Sequence, residues 1–236
     1  SCHKHQKGNN DLLTLTNPEL IKKIHLQYLE AGADIIETNT FNSTWISQAD
    51  YGMEEKVYEL NLEGAKLARA ACDYYNTLTP DKPRFVAGSI GPTNKTASLS
   101  PNVENPGFRN ITFDQLVDAY AEQIRGLMDG GADLLLIETV FDALNARAAI
   151  FAADFVFEEK QTQLPLIVSG TIADKSGRIL SGQTLEAFAQ TIWNKHLLSI
   201  SLNCSFGAKE LLPFVRELSK TQSVYLTFYP NAGLPN

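Results

Sequence analysis

Six short apolar segments recur along the chain, and a helix-length amphipathic stretch separates each from the next. The strand-like segments are Asp34–Asn39, Arg84–Ser89, Leu134–Glu138, Pro165–Thr171, Leu198–Cys204 and Val224–Tyr229. Helical patterns fill Glu54–Tyr75, Thr112–Asp129, Ala143–Lys160, Thr184–Lys195 and Gly207–Lys220. A further helix precedes the first strand: Asn17-Pro18-Glu19 reads as cap, first-turn proline and early acid. Leu20, Ile21, Ile24 and Tyr28 then share one face of it, and Gly32 ends it. Thr112 and Gln115 have the spacing of a capping box, with Ile111 and Leu116 placed to staple it. Nearly continuous apolar strands between amphipathic helices require a parallel sheet covered by helices.

The pattern also echoes itself. Gly32-Ala33-Asp34 leads into Glu37-Thr38, and Gly131-Ala132-Asp133 leads into Glu138-Thr139. Repeated βα units build a (β/α)8 TIM barrel, which takes about 250 residues. The 236 residues here are therefore expected to carry about six of the eight βα units. They form one barrel domain over 1–236, incomplete at both ends; an open doubly wound sheet is the alternative.

Composition excludes several function classes. The chain is 44% apolar and 20% charged, as globular domains are. A net charge of −7 without a basic stripe argues against nucleic acid and anionic membranes as partners. No apolar run, Leu134–Ile137 included, approaches the roughly 20 residues that span a bilayer. The start is polar, with no signal-peptide pattern. Cys2, Cys72 and Cys204 are odd in number and widely spaced, which speaks against a disulfide framework. The cytoplasm is the expected compartment.

In a parallel barrel the chemistry sits at the C-terminal ends of the strands. The polar residues there are Glu37, Thr38 and Asn39; Ser89; Glu138, Thr139 and Asp142; Ser169 and Thr171; Asn203 and Cys204; Tyr229 and Asn231. Hydroxyls at strand ends often serve loop backbone alone. Glu138 follows four apolar residues, so its carboxylate needs a partner, either a substrate ammonium or a structural Arg or Lys. Cys204 is either a small apolar filler or a thiolate acting as nucleophile or soft metal ligand. His3, His5, His25 and His196 read as surface or structural. Asp174–Arg178 is a solvated turn unless Lys175 or Arg178 faces an anion.

Taken together, these motifs resemble the homocysteine-binding barrel of the cobalamin-dependent methionine synthases. The segments that carry the resemblance are Lys7–Asp11, Gly32–Phe41, Ala49–Gly52, Gly91–Thr96, Ile137-Glu138-Thr139 with Asp142, Ser169–Gln183, Asn203-Cys204 and Tyr229–Asn236. The simpler betaine- or S-methylmethionine-dependent homocysteine methyltransferases resemble the chain less closely. The resemblance implies zinc held by three thiolates, of which Cys204 matches one. The other two, a Cys-Cys pair after the eighth strand, and the Gly-rich loop after the first strand are not in this sequence. It further implies that Glu138 pairs with the homocysteine ammonium, that Thr38, Asn39, Ser169 and Thr171 line the pocket, and that Asn231 approaches the metal. Methylcobalamin would come from a cobalamin-binding domain of a longer protein that also has a methyltetrahydrofolate-binding domain. Alone, this chain is then expected to be inactive. The alternatives are a folded, non-catalytic fragment, or an unrelated barrel enzyme that needs no zinc and uses Glu138 as a base.

Overall fold

The computed structural model describes residues 5–232. Cys2, His3 and the end of the Tyr229–Asn236 motif lie outside them. In chain order the elements are α1 (Leu13–Thr16), α2 (Pro18–Glu30), β1 (Ile35–Glu37), α3 (Trp45–Gln48), α4 (Val57–Leu78), β2 (Phe85–Ile90), α5 (Phe113–Asp129), β3 (Leu134–Val140), α6 (Ala143–Lys160), β4 (Leu166–Gly170), α7 (Leu185–Thr191), β5 (Leu197–Gly207), α8 (Ala208–Thr221) and β6 (Tyr225–Asn231). The strands are parallel and lie in the sheet in chain order, β1-β2-β3-β4-β5-β6. A doubly wound sheet would reverse its strand order at a switch point. This one does not, and the architecture is that of a partial (β/α) barrel.

The chain divides into two compact units, one made of the residues up to Thr93 with Asp118–Leu135, the other of Asn94–Val117 with the residues from Leu136 on. In the first unit the sequence echo becomes a structural one. Gly32 and Gly131 take φ of 103° and 94°, the left-handed conformation that closes a helix. The following amides reach back into the last turn, Ala33 to Tyr28 O and Ala132 to Leu127 O, each at 3.1 Å. The acids one residue on differ in what they hold: Asp34 pairs with the Lys82 ammonium at 3.2 Å. Asp133 accepts from Val86 N–H and from Arg69, both at 2.7 Å. Within this unit α5 also lies directly on α4. A Cβ on Gly126 would stand 2.7 Å from Asn61 Cβ, and one on Gly130 would stand 2.5 Å from Ala65 Cβ and overlap the Leu62 carbonyl.

Three elements differ from the sequence expectation. The buried stripe of α2 is Ile21, His25 and Leu29, whereas Leu20, Ile24 and Tyr28 are exposed. Treating histidine as polar turns the expected face by one residue. Asn17 makes no side-chain cap there, although Pro18 does open the helix. Helix α7 ends at Thr191 because Asn194 folds its side chain onto His196 N–H at 2.8 Å and onto Asp154 at 2.8 Å, a turn that competes with helix. β5 runs past Cys204 to Gly207 through a bulge. The capping box is present: Gln115 N–H donates to Thr112 Oγ1 at 3.2 Å, and Thr112 N–H to Gln115 Oε1 at 3.0 Å.

Buried His25 makes stability depend on pH. Desolvation pulls its imidazole down from 6.5 to about 4, and its Nε2 has no hydrogen-bond partner. The unfolded chain takes up a proton below pH 6.5 that the folded chain refuses until about pH 4. Stability is therefore full above pH 6.5 and declines as pH falls, by about 3 kcal/mol at pH 4. Urea midpoints compared between pH 7 and pH 4.5 should fall less in His25→Leu than in the parent; equal slopes contradict this.

Candidate active site at the strand ends

The second unit brings together the C-terminal ends of β3, β4, β5 and β6. Register sets Ser169 beside Ser201, Asn203 beside Tyr229 and Cys204 beside Pro230. Alternation along β5 puts Ser199, Ser201 and Asn203 on one face, each 1% exposed. The β5 bulge lies between Cys204 and Gly207, so Gly207 pairs with Asn231. Cys204 and Ser205 both have left-handed backbone, at φ 56° and 61°. Bulges of this kind re-aim side chains beside active sites. Cys204 is half-buried.

Asn203 is the centre of the arrangement. Its Oδ1 accepts Ser169 Oγ–H at 2.6 Å and Thr139 N–H at 3.1 Å. Its Nδ2 donates to Thr139 Oγ1 at 2.9 Å and to Cys204 Sγ at 3.1 Å. Thr139 is itself left-handed, at φ 57°. Glu138, one residue earlier, is 7% exposed, and the Tyr229 hydroxyl stands 3.5 Å from its Oε2. Thr171 donates its N–H to Val140 O at 2.8 Å, while its buried Oγ1 has no hydrogen-bond partner. Ser201 Oγ and Ser205 Oγ are likewise buried and unpartnered. Such groups cost free energy unless a ligand or water meets them.

The structure thus gathers Glu138, Ser169, Thr171 and Cys204 in one unit, with Asn231 exposed at the end of β6. Thr38 and Asn39 belong to the other unit. There Thr38 Oγ1 accepts Ser89 N–H at 3.0 Å and shares a 2.6 Å bond with Thr40 Oγ1. Asn39 Nδ2 donates to Asn10 O at 2.9 Å and to Thr14 Oγ1 at 3.2 Å. Asp142 caps α6 by accepting from Leu144 and Asn145 N–H, and it also accepts Ser98 Oγ–H at 2.7 Å. In the Asp174–Arg178 turn Asp174 accepts Ser176 N–H at 2.7 Å, and the Ser176 hydroxyl together with that N–H holds its carboxyl below the usual range. Arg178 donates to Gly182 O at 2.7 Å.

Sequence reasoning placed Asn203 among the polar strand-end residues but gave it no role of its own, although its place on the polar face of β5 was a signal. Asp11 entered only within the Lys7–Asp11 segment, also without a role. This buried acid accepts Asn42 N–H and Ser43 Oγ–H, both at 2.7 Å, and burial raises its pKa. Cys72 is fully buried in α4, and desolvation lifts its thiol to about 11, so it stays unreactive at neutral pH.

Zinc with three thiolates does not fit the described residues alone. No group of three His, Cys, Asp or Glu among them could hold a metal ion.

The model of the homocysteine S-methyltransferase family matches residues 2–236. The chain belongs to that family. Two structures of the homocysteine methyltransferase MmuM from Escherichia coli resemble this homocysteine S-methyltransferase chain, each at 25% identity and a TM-score of 0.78. The match covers 94% of this chain and 75% of the metallated form, or 74% of the oxidised form. A 2-naphthoyl-CoA reductase shares the fold alone, at 12% identity and a TM-score of 0.58, over 88% of this chain and 40% of that one. In a homocysteine S-methyltransferase built on βα units, strand ends are where substrate is expected. No described helix is long and apolar enough to cross a membrane.

Proposed function

We propose that this chain is the homocysteine-binding, methyl-accepting module of a cytoplasmic methionine synthase, with methylcobalamin on another domain of a longer protein as donor. Family membership supports methyl transfer to homocysteine. The observation that carries the site is the cluster in which one carboxamide joins Thr139, Ser169 and Cys204, next to the buried Glu138.

The chemistry follows from the charges. Glu138, held in a largely dry setting, offers a carboxylate to the substrate ammonium, where a charge-assisted hydrogen bond is strong. Ser169, Thr171 and Asn231 are the polar groups of the second unit proposed to line the pocket. The substrate thiol has an ordinary pKa near 8.5 and is mostly protonated at neutral pH. It must give that proton up to solvent as sulfur bonds the methyl carbon, while the donor's bond to that methyl breaks and the donor keeps the electron pair. Zinc is the metal this reading implies, with Cys204 as one ligand; the described residues do not complete its shell. Methyltetrahydrofolate would recharge the cobalamin on a separate domain.

The donor is testable directly. Native polypeptide is supplied with L-homocysteine and, in separate reactions, methylcobalamin, S-methylmethionine or betaine, and methionine is measured. Methionine is expected with methylcobalamin. Methionine formed from S-methylmethionine or betaine but not from methylcobalamin would overturn the donor assignment and leave the homocysteine site standing.

A further inference from the structure

The Asn203 carboxamide has two acceptor lone pairs and two N–H donors. All four are used: Ser169 Oγ and Thr139 N–H on the oxygen, Thr139 Oγ1 and Cys204 Sγ on the nitrogen. One side chain thereby spans the ends of three strands, β3, β4 and β5. It also touches two of the three non-glycine residues there with left-handed backbone, Thr139 at φ 57° and Cys204 at φ 56°; the third, Ser205 at φ 61°, follows Cys204 directly. A β-branched residue avoids that region unless its surroundings enforce it. The bidentate grip on Thr139, at 3.1 Å and 2.9 Å, is such an enforcement. Thr139 in turn fixes the backbone that carries Glu138.

We infer that Asn203 is the positioning residue of the site: its carboxamide holds Glu138, through Thr139, and the Cys204 thiol in the orientations homocysteine needs. The inference rests on the reading of these strand ends as the homocysteine site. Asn203 is 1% exposed and has every polar atom engaged, so it acts through its neighbours and not on substrate. A polar residue kept merely to satisfy the core would need none of its bonds to fall on left-handed residues such as Thr139 and Cys204.

Asn203→Asp tests this in the native polypeptide. The carboxylate has the same shape and keeps the bonds from Ser169 and Thr139 N–H, but when ionised it has no N–H for Thr139 Oγ1 or Cys204 Sγ. Two measurements are made on folded protein: the crystal structure of the variant, and the dissociation constant for L-homocysteine by calorimetry. The expected result is that Thr139 or Cys204 leaves the left-handed region or that Sγ turns away, and that the dissociation constant rises about tenfold. A merely structural asparagine would lower the melting temperature and leave the affinity of the folded protein unchanged. An unchanged dissociation constant in folded Asn203→Asp overturns the inference, whatever the backbone does. Should that variant not fold, Ser169→Ala removes one of the four bonds and is expected to weaken binding about threefold; unchanged binding there overturns the inference equally. If the parent itself takes up no homocysteine, the functional reading fails. The variant's backbone then decides the positioning claim alone, and an unmoved Thr139 and Cys204 refute it.

Discussion

Cys204→Ser is expected to lower methyl transfer to homocysteine by at least about a hundredfold while leaving the fold intact. Serine has nearly the same shape, and its oxygen can still accept from Asn203 Nδ2, which stands 3.1 Å from Sγ in the parent. What it lacks is the soft, polarisable sulfur that binds soft metals. Loss of outer-shell partners of a metal already costs about 10- to 100-fold, and a residue on the metal or the reacting sulfur should cost more. Cys72→Ser is the matched comparison. Cys72 sits fully buried in α4, and its Sγ lies 3.6 Å from Phe85 O. That substitution should leave turnover per folded molecule unchanged. Equal activity of Cys204→Ser and parent, measured as methionine formed per folded chain, would remove Cys204 from the chemistry.

Gly130→Val is expected to have the largest effect on stability, about 3 kcal/mol or more, because overfilling a packed contact is costly and backbone cannot step aside. The added Cβ alone meets the Leu62 carbonyl and, at 2.5 Å, Ala65 Cβ, both on α4. Two further methyl groups would force the two helices apart. With total stabilities of about 5–15 kcal/mol, such a variant sits near the edge of folding. Gly107→Ala, in a loop where the nearest atom is Asn105 Oδ1 at 3.8 Å, should be neutral within about 0.5 kcal/mol. Denaturant midpoints of the two variants measure the difference; similar midpoints would mean that α4 and α5 are not in close contact.

The fold was legible because its signal is redundant. Each strand of the sheet announces itself by an apolar run and a flanking helix, and the Gly-Ala-Asp echo marks two equivalent joints, at Gly32 before β1 and Gly131 before β3. The errors lie where one side chain outweighs a pattern: His25 buried as a neutral base shifts the face of α2, and Asn194 unwinds the end of α7. At the site, residue type singled out Glu138 and Cys204, since an acid or thiol ending an apolar strand is conspicuous. The role of Asn203 was not legible. Its bonds join residues 34 and 64 positions away, Ser169 and Thr139, and nothing local in the sequence encodes that meeting. Nor does any pattern announce left-handed backbone at Thr139 and Cys204, which tertiary contacts impose against local preference.

The central claim is that the strand ends of the second unit bind homocysteine by its ammonium at Glu138. The most direct measurement is a calorimetric titration of the native polypeptide with L-homocysteine, repeated with Glu138→Ala. A charge-assisted hydrogen bond of about 1.5–3 kcal/mol corresponds to roughly 10- to 100-fold in affinity. The account predicts one homocysteine bound per chain and a loss of that size in the variant. Saturable binding that Glu138→Ala leaves unchanged, or no binding by the native polypeptide, would contradict it.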